Sequence, residues 1–193
     1  EFRWKFALEG SGDGLWDWNL ETNEVFFSRQ WKEMLGFKED EIEGSLEEWD
    51  KRVHPDHKER VYEFINEYIE GKRDHYRCEH QVLCKDGSYK WILDRGMIVS
   101  RDSSGKATRM IGTHSDIDQM KQLSQEVSVL NDRLQSMFEY HDAIMLLIEP
   151  NSGKILDANK SAEGFYGYVK QTITSMTIDD INALPPKEVK KRR

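Results

Sequence analysis

The stretch "HYRCEHQVLCKDGSYKWILDRGMIVSRDSSGKATRMIGTHSDI", residues 75–117, contains three runs of residues that favour β-strands, joined by two turns. Val, Ile, Tyr and Trp recur in these runs, as is typical of strands. The first turn contains Asp86-Gly87, a dipeptide favoured in tight hairpins, and the second, residues 102–106, is rich in Ser and Gly. The stretch therefore predicts three consecutive antiparallel strands.

Two more strands and several helices are predicted before this stretch. Residues 15–20, "LWDWNL", alternate large apolar and polar side chains, and residues 25–28, "VFFS", follow after a polar turn. A short helix is predicted over residues 28–36. A long helix over residues 55–71 begins with a proline and ends with a glycine, which are favoured at those two positions. Together these elements predict an α+β domain with a five-stranded antiparallel sheet and flanking helices.

The composition excludes several classes of partner. The chain has 193 residues and a net charge of −8, which disfavours binding to nucleic acid or to an anionic membrane surface. The longest apolar run, residues 143–148, is far shorter than the roughly 20 residues of a membrane-spanning helix. We therefore expect a cytoplasmic protein with no membrane contact within this chain, and the absence of an initial Met is typical of a piece of a longer protein.

Several stretches, in this order, resemble the PAS sensory fold, in the subgroup that occurs in tandem in bacterial and archaeal signalling proteins. These stretches are residues 12–37, 53–61, 84–102 and 112–117. The resemblance covers residues 2–118 and implies that they form a PAS sensor domain.

An amphipathic helix is predicted over residues 119–142, after the sensor domain. Its apolar residues recur at alternating steps of three and four, at Met120, Leu123, Val127, Leu130, Leu134 and Met137. Val at an a-type position and Leu at d-type positions favour a parallel two-stranded coiled coil. We therefore predict a homodimer through this helix, which would carry small rotations or register shifts. The alternative is a single amphipathic helix that lies on the sheet of its own domain.

The junction before this helix carries a second resemblance. Asp116 and Ile117 match the first two residues of the Asp-Ile-Thr ending through which PAS domains join the following helix. The resemblance implies that these two residues transmit the signal, together with the apolar heptad residues. Asp118 replaces the Thr, and we expect it to cap the helix.

Residues 143–193 repeat the opening of the first domain. Ser28 is followed eight positions later by Gly36-Phe37, and Asn159 is followed eight positions later by Gly167-Tyr168. We therefore expect residues 143–193 to be the N-terminal part of a second, truncated PAS domain.

The resemblance also implies an apolar interior that could hold a ligand. The candidate residues that line it are Phe26, Trp31, Phe37, Trp49, Phe64 and Trp91. Ordinary core packing explains the same residues. No cofactor is required, and a noncovalent flavin, haem or a metabolite stays open. A flavin photosensor of this fold would need a reactive Cys that residues 38–48 lack, and His54 and His57 are expected to cap the long helix rather than to bind haem.

No metal site and no catalytic residue is predicted. Cys78, His80 and Cys84 form a C-x-H-x3-C pattern, but an extended strand separates the two cysteines by roughly 20 Å, too far to share an ion. The three side chains share one face of the strand, and the pattern does not say which face. Residues 10–14, "GSGDG", lack the Lys of a phosphate-binding loop.

The sequence therefore predicts a sensory and regulatory module of a signal-transduction protein rather than an enzyme. Its input would be a small molecule, a redox change or a protein. Its output domain, a histidine kinase or a diguanylate cyclase, would lie outside this chain. The alternative is a ligand-free PAS scaffold that serves only dimerisation and protein–protein interaction.

Overall fold

The computed structural model describes residues 12–182. The chain divides into two compact units, Glu1–Leu123 and Ser124–Arg193. The strands of the first unit are β1 (Gly14–Asn19), β2 (Val25–Phe27), β3 (Tyr76–Leu83), β4 (Tyr89–Arg101) and β5 (Ala107–Asp116). Its helices are α1 (Arg29–Met34), α2 (Leu46–Asp50) and α3 (Pro55–Ile69).

The five strands form one antiparallel sheet in the order β2-β1-β5-β4-β3. Each strand therefore lies beside a partner that runs in the opposite direction, and β5 occupies the centre. The predicted fold class, a five-stranded antiparallel sheet with flanking helices, is confirmed.

Local hydrogen bonds fix the starts of the helices. The Ser28 hydroxyl accepts from the N–H of Trp31 and caps α1. His54 precedes α3, and its Nδ1 accepts from the N–H of Asp56, whereas Nδ1 of His57 accepts from the N–H of Gln81 on β3. His54 therefore caps the helix as predicted, and His57 instead ties the helix to the sheet.

The core of the first unit lies between the inner face of the sheet and the helices. β3 alternates strictly, so that its inward side chains are buried and the others are partly or fully exposed. Trp31, Val61, Val82, Ile92 and Met110 have no measurable exposure. This density of large apolar side chains is what holds the helices on one face of the sheet.

The second unit contains a hairpin and short helices. The elements of this unit are β6 (Leu146–Ile148), β7 (Ile155–Ala158), α5 (Lys160–Tyr166), α6 (Lys170–Ile173) and α7 (Ile178–Asn182). The Asn159 side chain accepts from the N–H of Ala162 and caps α5, and Gly167 follows that helix with a φ of 75°. Ser28 and Gly36 hold the same places around α1, with a φ of 83° at Gly36, so the internal repeat is also structural.

Helix α4 (Asp118–Glu139) follows β5 and contains no buried residue. The side chains at its heptad positions are all more than half exposed, namely Met120, Leu123, Val127, Leu130, Leu134 and Met137. The apolar stripe of this helix is therefore exposed. Within residues 12–182, no helix is both long enough and apolar enough to span a membrane.

Candidate functional site

Strand register brings polar residues together in the centre of the sheet. Asp94 on β4 lies directly opposite His114 on β5 and opposite Cys78 on β3. All three side chains are buried, so they share the inner face of the sheet. A row of three side chains, a thiol, a carboxylate and an imidazole, therefore crosses the middle of an otherwise apolar core.

Glycines make room for two tryptophans beside this row. Gly96 and Gly112 lie opposite each other and beneath the indole of Trp16. A Cβ added at Gly96 would lie 2.6 Å from the ring, and one added at Gly112 would lie 2.2 Å from it. Gly14, opposite His114, leaves the same kind of space for Trp31, whose Cα would lie 2.5 Å from an added Cβ. The sheet can hold both indoles against its backbone because these positions have no side chain.

Both indoles donate hydrogen bonds into the row. Nε1 of Trp16 donates to Oδ1 of Asp94 at 2.9 Å, and Nε1 of Trp31 donates to Nδ1 of His114 at 2.8 Å. Oδ2 of Asp94 accepts from the Tyr76 hydroxyl at 2.6 Å, and Nε2 of His114 lies 3.3 Å from Oδ1 of Asp94. We call these five residues the buried polar network.

The network keeps Asp94 ionised although it is buried. Burial alone would raise the pKa of Asp94, but the adjacent His114 and the hydrogen bond from Tyr76 outweigh burial, so its pKa lies below the usual value. Burial and the nearby carboxylate raise the pKa of Tyr76 well above its usual value. Tyr76 therefore remains a neutral donor to a charged acceptor, which is the stronger kind of hydrogen bond.

His80 lies beside the network without joining it. Its side chain is fully buried, its ring centroid lies 5.8 Å from that of His114, and neither ring nitrogen has a hydrogen-bond partner. Burial lowers the pKa of His80 from 6.5 to about 3, so the ring is neutral at physiological pH. The ring centroids of Trp49 and His80 lie 5.9 Å apart. Nε1 of Trp49 is also buried without a hydrogen-bond partner. Orphaned polar atoms of this kind are rare in a protein core and call for an explanation.

A small cavity adjoins the network. It has a volume of about 30 Å³, which is room for about one water-sized molecule. Its lining consists of Trp16, Trp18, Val25, Phe27, Leu46, Trp49, Ile65, Tyr76, Asp94, Met110 and His114. In this conformation the interior is therefore filled by its own side chains.

The predicted lining residues lie in several different places. Trp49 lines the cavity, and Trp31 is buried within the polar network. Phe26 requires a correction: it is 60% exposed because β2 alternates, and its neighbours Val25 and Phe27 point inward instead. A line of consecutive aromatic residues in a strand cannot all face one side.

The remaining three predicted lining residues are partly buried and contact cationic or polar side chains. Phe37 lies under the guanidinium of Arg52, with 4.7 Å between Cζ and the ring centroid. Phe64 contacts Arg73 in the same way at 3.8 Å. Trp91 contacts the ring of His57, with 5.1 Å between ring centroids, and Nζ of Lys121, which lies 5.0 Å from the centroid of Trp91. None of the three lines the cavity described above.

The junction between sheet and helix is held by side chains as well as backbone. Nζ of Lys90 contacts Oδ2 of Asp116 at 2.7 Å, and the N–H of Ile117 donates to the carbonyl of Trp91 at 3.0 Å. Oδ1 of Asp118 accepts from the N–H of Trp91 at 2.8 Å. The expectation that Asp118 caps the helix was wrong, because Oδ1 of Asp116 accepts from the N–H of Asp118 and the Asp118 carboxylate instead bonds to β4.

The two cysteines face inward. Cys78 and Cys84 are both buried and unpaired, which answers the question of orientation that the sequence left open. Burial raises the pKa of the Cys78 thiol to about 11, so it is protonated and unreactive at neutral pH.

Sequence reasoning missed the buried polar network. Its members are far apart in the chain: Trp16 and Asp94 are separated by 78 positions, and Trp31 and His114 by 83. One signal was available, because Gly96 and Gly112 stand inside predicted strands, where glycine often marks the close approach of another group.

Comparisons with known proteins agree with this architecture. A family model described as the PAS fold matches residues 24–114, and one described as a PAS domain matches residues 132–193. One match lies in each unit, and residues 115–131, which include the start of α4, lie between the two matches.

The chain is also similar to known signalling proteins. It is 27% identical over 164 residues to the sensor protein FixL of Bradyrhizobium diazoefficiens, a match that covers 85% of this chain and 32% of FixL. It is 21% identical over 165 residues to the probable diguanylate cyclase DgcE of Escherichia coli, a match that covers 86% of this chain and 14% of DgcE. The chain thus spans a third or less of the length of these relatives.

Two solved structures resemble the fold. One is a sensory box histidine kinase/response regulator from Burkholderia thailandensis, with a TM-score of 0.61 and 28% identity over 69% of this chain and 98% of that one. The other is the N-terminal domain of a diguanylate cyclase with PAS/PAC sensor from Marinobacter aquaeolei, with a TM-score of 0.50 and 29% identity over 56% of this chain and 98% of that one.

Proposed function

This chain belongs to the PAS family, as a tandem PAS region that forms a sensory module of a signal-transduction protein, and we propose that its buried polar network controls helix α4. Changes in the interior of the first domain would shift β5 against β4. The shift would then reach the start of the helix.

One observation carries this proposal: the network and the helix junction share a single strand. His114 lies on β5 two residues before the strand ends at Asp116, and α4 begins at Asp118. The partner of His114 is Asp94, and the partner of Asp118 is Trp91. Both partners belong to β4. A change in the distance between β4 and β5 at the network therefore has a short, hydrogen-bonded route to the helix.

We assign three segments on this basis: a PAS sensor over residues 2–118, a signalling helix over 119–142, and the N-terminal part of a second PAS domain over 143–193. The outer ends of the first and third segments lie outside the described residues. PAS domains commonly form dimers and bind small ligands. The exposed heptad stripe of α4 supports a homodimer through this helix, with Asp116 and Ile117 at its base.

The output domain is proposed to lie outside this chain. Relatives and similar structures that are named as a sensor, histidine kinase or diguanylate cyclase support an output of the kinase or cyclase type. PAS domains are sensory rather than catalytic, and we propose that this chain has no activity of its own. Its two unpaired cysteines support a reducing, cytoplasmic location.

A ligand-free scaffold is the second candidate function. The observation in its favour is the small cavity, because about 30 Å³ is far less than the roughly 300 Å³ or more of typical ligand sites. In this case the first domain would only hold two helices together, and its interior would be a structural core.

A matched pair of tryptophan variants separates the two functions. Trp16 and Trp18 both line the cavity, but only the Trp16 indole reaches Asp94, whereas Trp18 donates to Asn23 at 3.2 Å near the surface. Trp16→Phe removes the donor and keeps an aromatic ring. Since a hydrogen bond to a charged group is worth about 1.5–3 kcal/mol, amide hydrogen exchange over residues 117–123 should accelerate by about tenfold or more.

Trp18→Phe should leave exchange in that segment unchanged. If Trp16→Phe also leaves exchange at the helix start unchanged while the domain stays folded, the interior is not coupled to the helix. The scaffold would then be the better description.

A further inference from the structure

A buried side chain of the second unit, that of Asn159, holds both the start of α5 and the chain that leaves α4. We propose that Asn159 is a positioning residue that couples the end of α4 to α5, so that a movement of α4 is passed into the second PAS domain. This inference rests on the proposed role of α4 as a signalling helix, and it names the group that receives the signal at the C-terminal end of that helix.

The oxygen of the Asn159 side chain fixes the start of α5. Oδ1 accepts from the N–H of Ala162, in the first turn of α5, and from the N–H of Met145, just before β6, in each case at 3.0 Å. The backbone N–H of Asn159 donates in turn to the carbonyl of Met145 at 3.1 Å. Serine, threonine and aspartate cap helices through an oxygen in the same way, so these bonds alone do not require an amide.

The nitrogen of the same side chain holds the segment that follows α4. Nδ2 of Asn159 donates to the carbonyl of Ala143 at 2.7 Å and to the carbonyl of His141 at 3.1 Å. His141 lies two residues after the end of α4, and its carbonyl also accepts from the Ser161 hydroxyl at 2.7 Å. The two acceptor positions and the two donor positions of the Asn159 amide are therefore all occupied.

The internal repeat shows what the amide adds. Ser28 holds the place of Asn159 in the first domain. Its Oγ accepts from the N–H groups of Trp31 and Leu15, and its own N–H donates to the carbonyl of Leu15. These three bonds correspond to those made by the oxygen and the backbone of Asn159. A hydroxyl has one hydrogen, whereas an amide nitrogen has two, so the two donated bonds are what Asn159 brings to the domain that follows α4.

Charged side chains also hold the last residue of α4. Nζ of Lys170, in the first turn of α6, lies 3.2 Å from Oε2 of Glu139 and 2.6 Å from Oδ1 of Asp157 on β7. Nζ of Lys160, the first residue of α5, lies 3.8 Å from Oε1 of Glu139. Because ion pairs near the surface each contribute little, these contacts support the link that the buried Asn159 amide makes.

This link determines what happens when α4 moves. A rotation or shift of α4 displaces the carbonyls of His141 and Ala143. Since both carbonyls are bonded to the amide that caps α5, either two buried hydrogen bonds break or the first turn of α5 moves with the helix. Breaking the bonds leaves the Asn159 donors unsatisfied in a buried position, which is costly. The movement is therefore passed on to α5.

The test measures amide hydrogen exchange by NMR in the whole 193-residue chain. Asn159→Asp keeps an oxygen that caps α5 but replaces the donor nitrogen by an oxygen that repels the two carbonyls. Exchange of the Tyr140 amide, which bonds to Ser136 at the end of α4, should accelerate by at least about tenfold. Exchange of the Glu163 amide in α5 should change by less than about threefold, because the cap is retained. Asn151→Asp, the same change in the exposed turn before β7, should affect neither amide.

A residue that only caps α5 would give a different result, because its loss would accelerate the Tyr140 and Glu163 amides equally. That result, or unchanged exchange at Tyr140 in folded Asn159→Asp, would overturn the proposal.

A measurement on the wild-type chain decides the matter if Asn159→Asp does not fold. The Nδ2 protons of Asn159 should exchange in the same opening event as the Tyr140 amide, whereas those of the exposed Asn151 should exchange freely. If the Asn159 protons exchange as fast as those of Asn151, the end of α4 is not coupled to α5. None of these measurements depends on the buried polar network, so their failure would leave the proposed control of α4 by that network standing.

Discussion

Asp118 and Trp91 are joined by a side chain-to-backbone hydrogen bond of 2.8 Å, in which the carboxylate of the first residue of α4 accepts from the N–H of a residue on β4. The carbonyl of Trp91 in turn accepts from the N–H of Ile117 at 3.0 Å. The chain is thus fastened to β4 on both sides of the point where strand becomes helix. The orientation of the helix start depends on β4 as well as on β5.

Asp118→Ala should release the helix start from the sheet. The N–H of Trp91 would lose a charged acceptor in a partly buried position, so we expect a loss of about 1–3 kcal/mol in the free energy of unfolding. Urea denaturation measures that loss, and hydrogen exchange of the Trp91 amide locates it. Asp132→Ala, at an exposed position of the same helix, should change stability by less than about 0.5 kcal/mol. Unchanged exchange at Trp91 in Asp118→Ala would contradict this account of the junction.

Gly112→Ala should displace the Trp16 indole. The added Cβ would lie 2.2 Å from the indole and 2.1 Å from the carbonyl oxygen of Arg95, and neither group can move freely. We expect a loss of more than about 3 kcal/mol in the free energy of unfolding, with a change in tryptophan fluorescence. Gly164→Ala in α5, where an added Cβ meets nothing within 4 Å, should instead stabilise its helix by up to about 1 kcal/mol. Equal effects of the two substitutions would show that Trp16 does not need the space above Gly112.

The sequence predicted the strands and helices well because their signals are local. Alternation in residues 15–20 and the turn at Asp86-Gly87 each act within a few positions, and the structure confirms the strands that they predict. The polar network was not predictable in this way. Asp94 and His114 meet only because the register of β4 and β5 places them opposite each other.

The face that a side chain occupies was also hard to predict where several aromatic residues adjoin. Phe26 and Phe27 are chemically identical, yet one is exposed and the other is buried. The position of β2 relative to the helices decides between them, and that depends on the whole sheet. The same limit left the orientation of Cys78 and Cys84 open until the sheet was assembled.

His80 should make the stability of the first domain depend on pH. Its pKa is about 3 in the folded chain and about 6.5 when unfolded, so the unfolded state binds more protons between these values. The free energy of unfolding contributed by this group is therefore fully present above pH 6.5 and is lost as pH falls towards 3. One group can contribute a slope of up to about 1.4 kcal/mol per pH unit.

Comparison of His80→Phe with the wild type separates the contribution of His80 to the pH dependence of the free energy of unfolding from the contribution of the carboxylates. His80→Phe should show a shallower fall in stability below pH 6.5, as measured by urea denaturation at several pH values. His75→Phe, which removes an exposed histidine, should keep the wild-type slope. If His80→Phe and the wild type have parallel profiles, the ring of His80 is hydrated or paired in the folded protein.

Leu130→Lys should abolish dimerisation through α4. Leu130 occupies a d-type heptad position and is 54% exposed in the single chain, so its burial in a coiled coil would be lost and two charges would face each other across the seam. A loss of about 3 kcal/mol or more in the free energy of association would weaken self-association by more than about 100-fold, which sedimentation equilibrium can measure. Gln125→Lys adds the same charge at an exposed f-type position and should leave the dimer intact. A wild-type chain that remains monomeric at all accessible concentrations, or a Leu130→Lys chain that still forms dimers, would show that the heptad stripe is not the dimer interface.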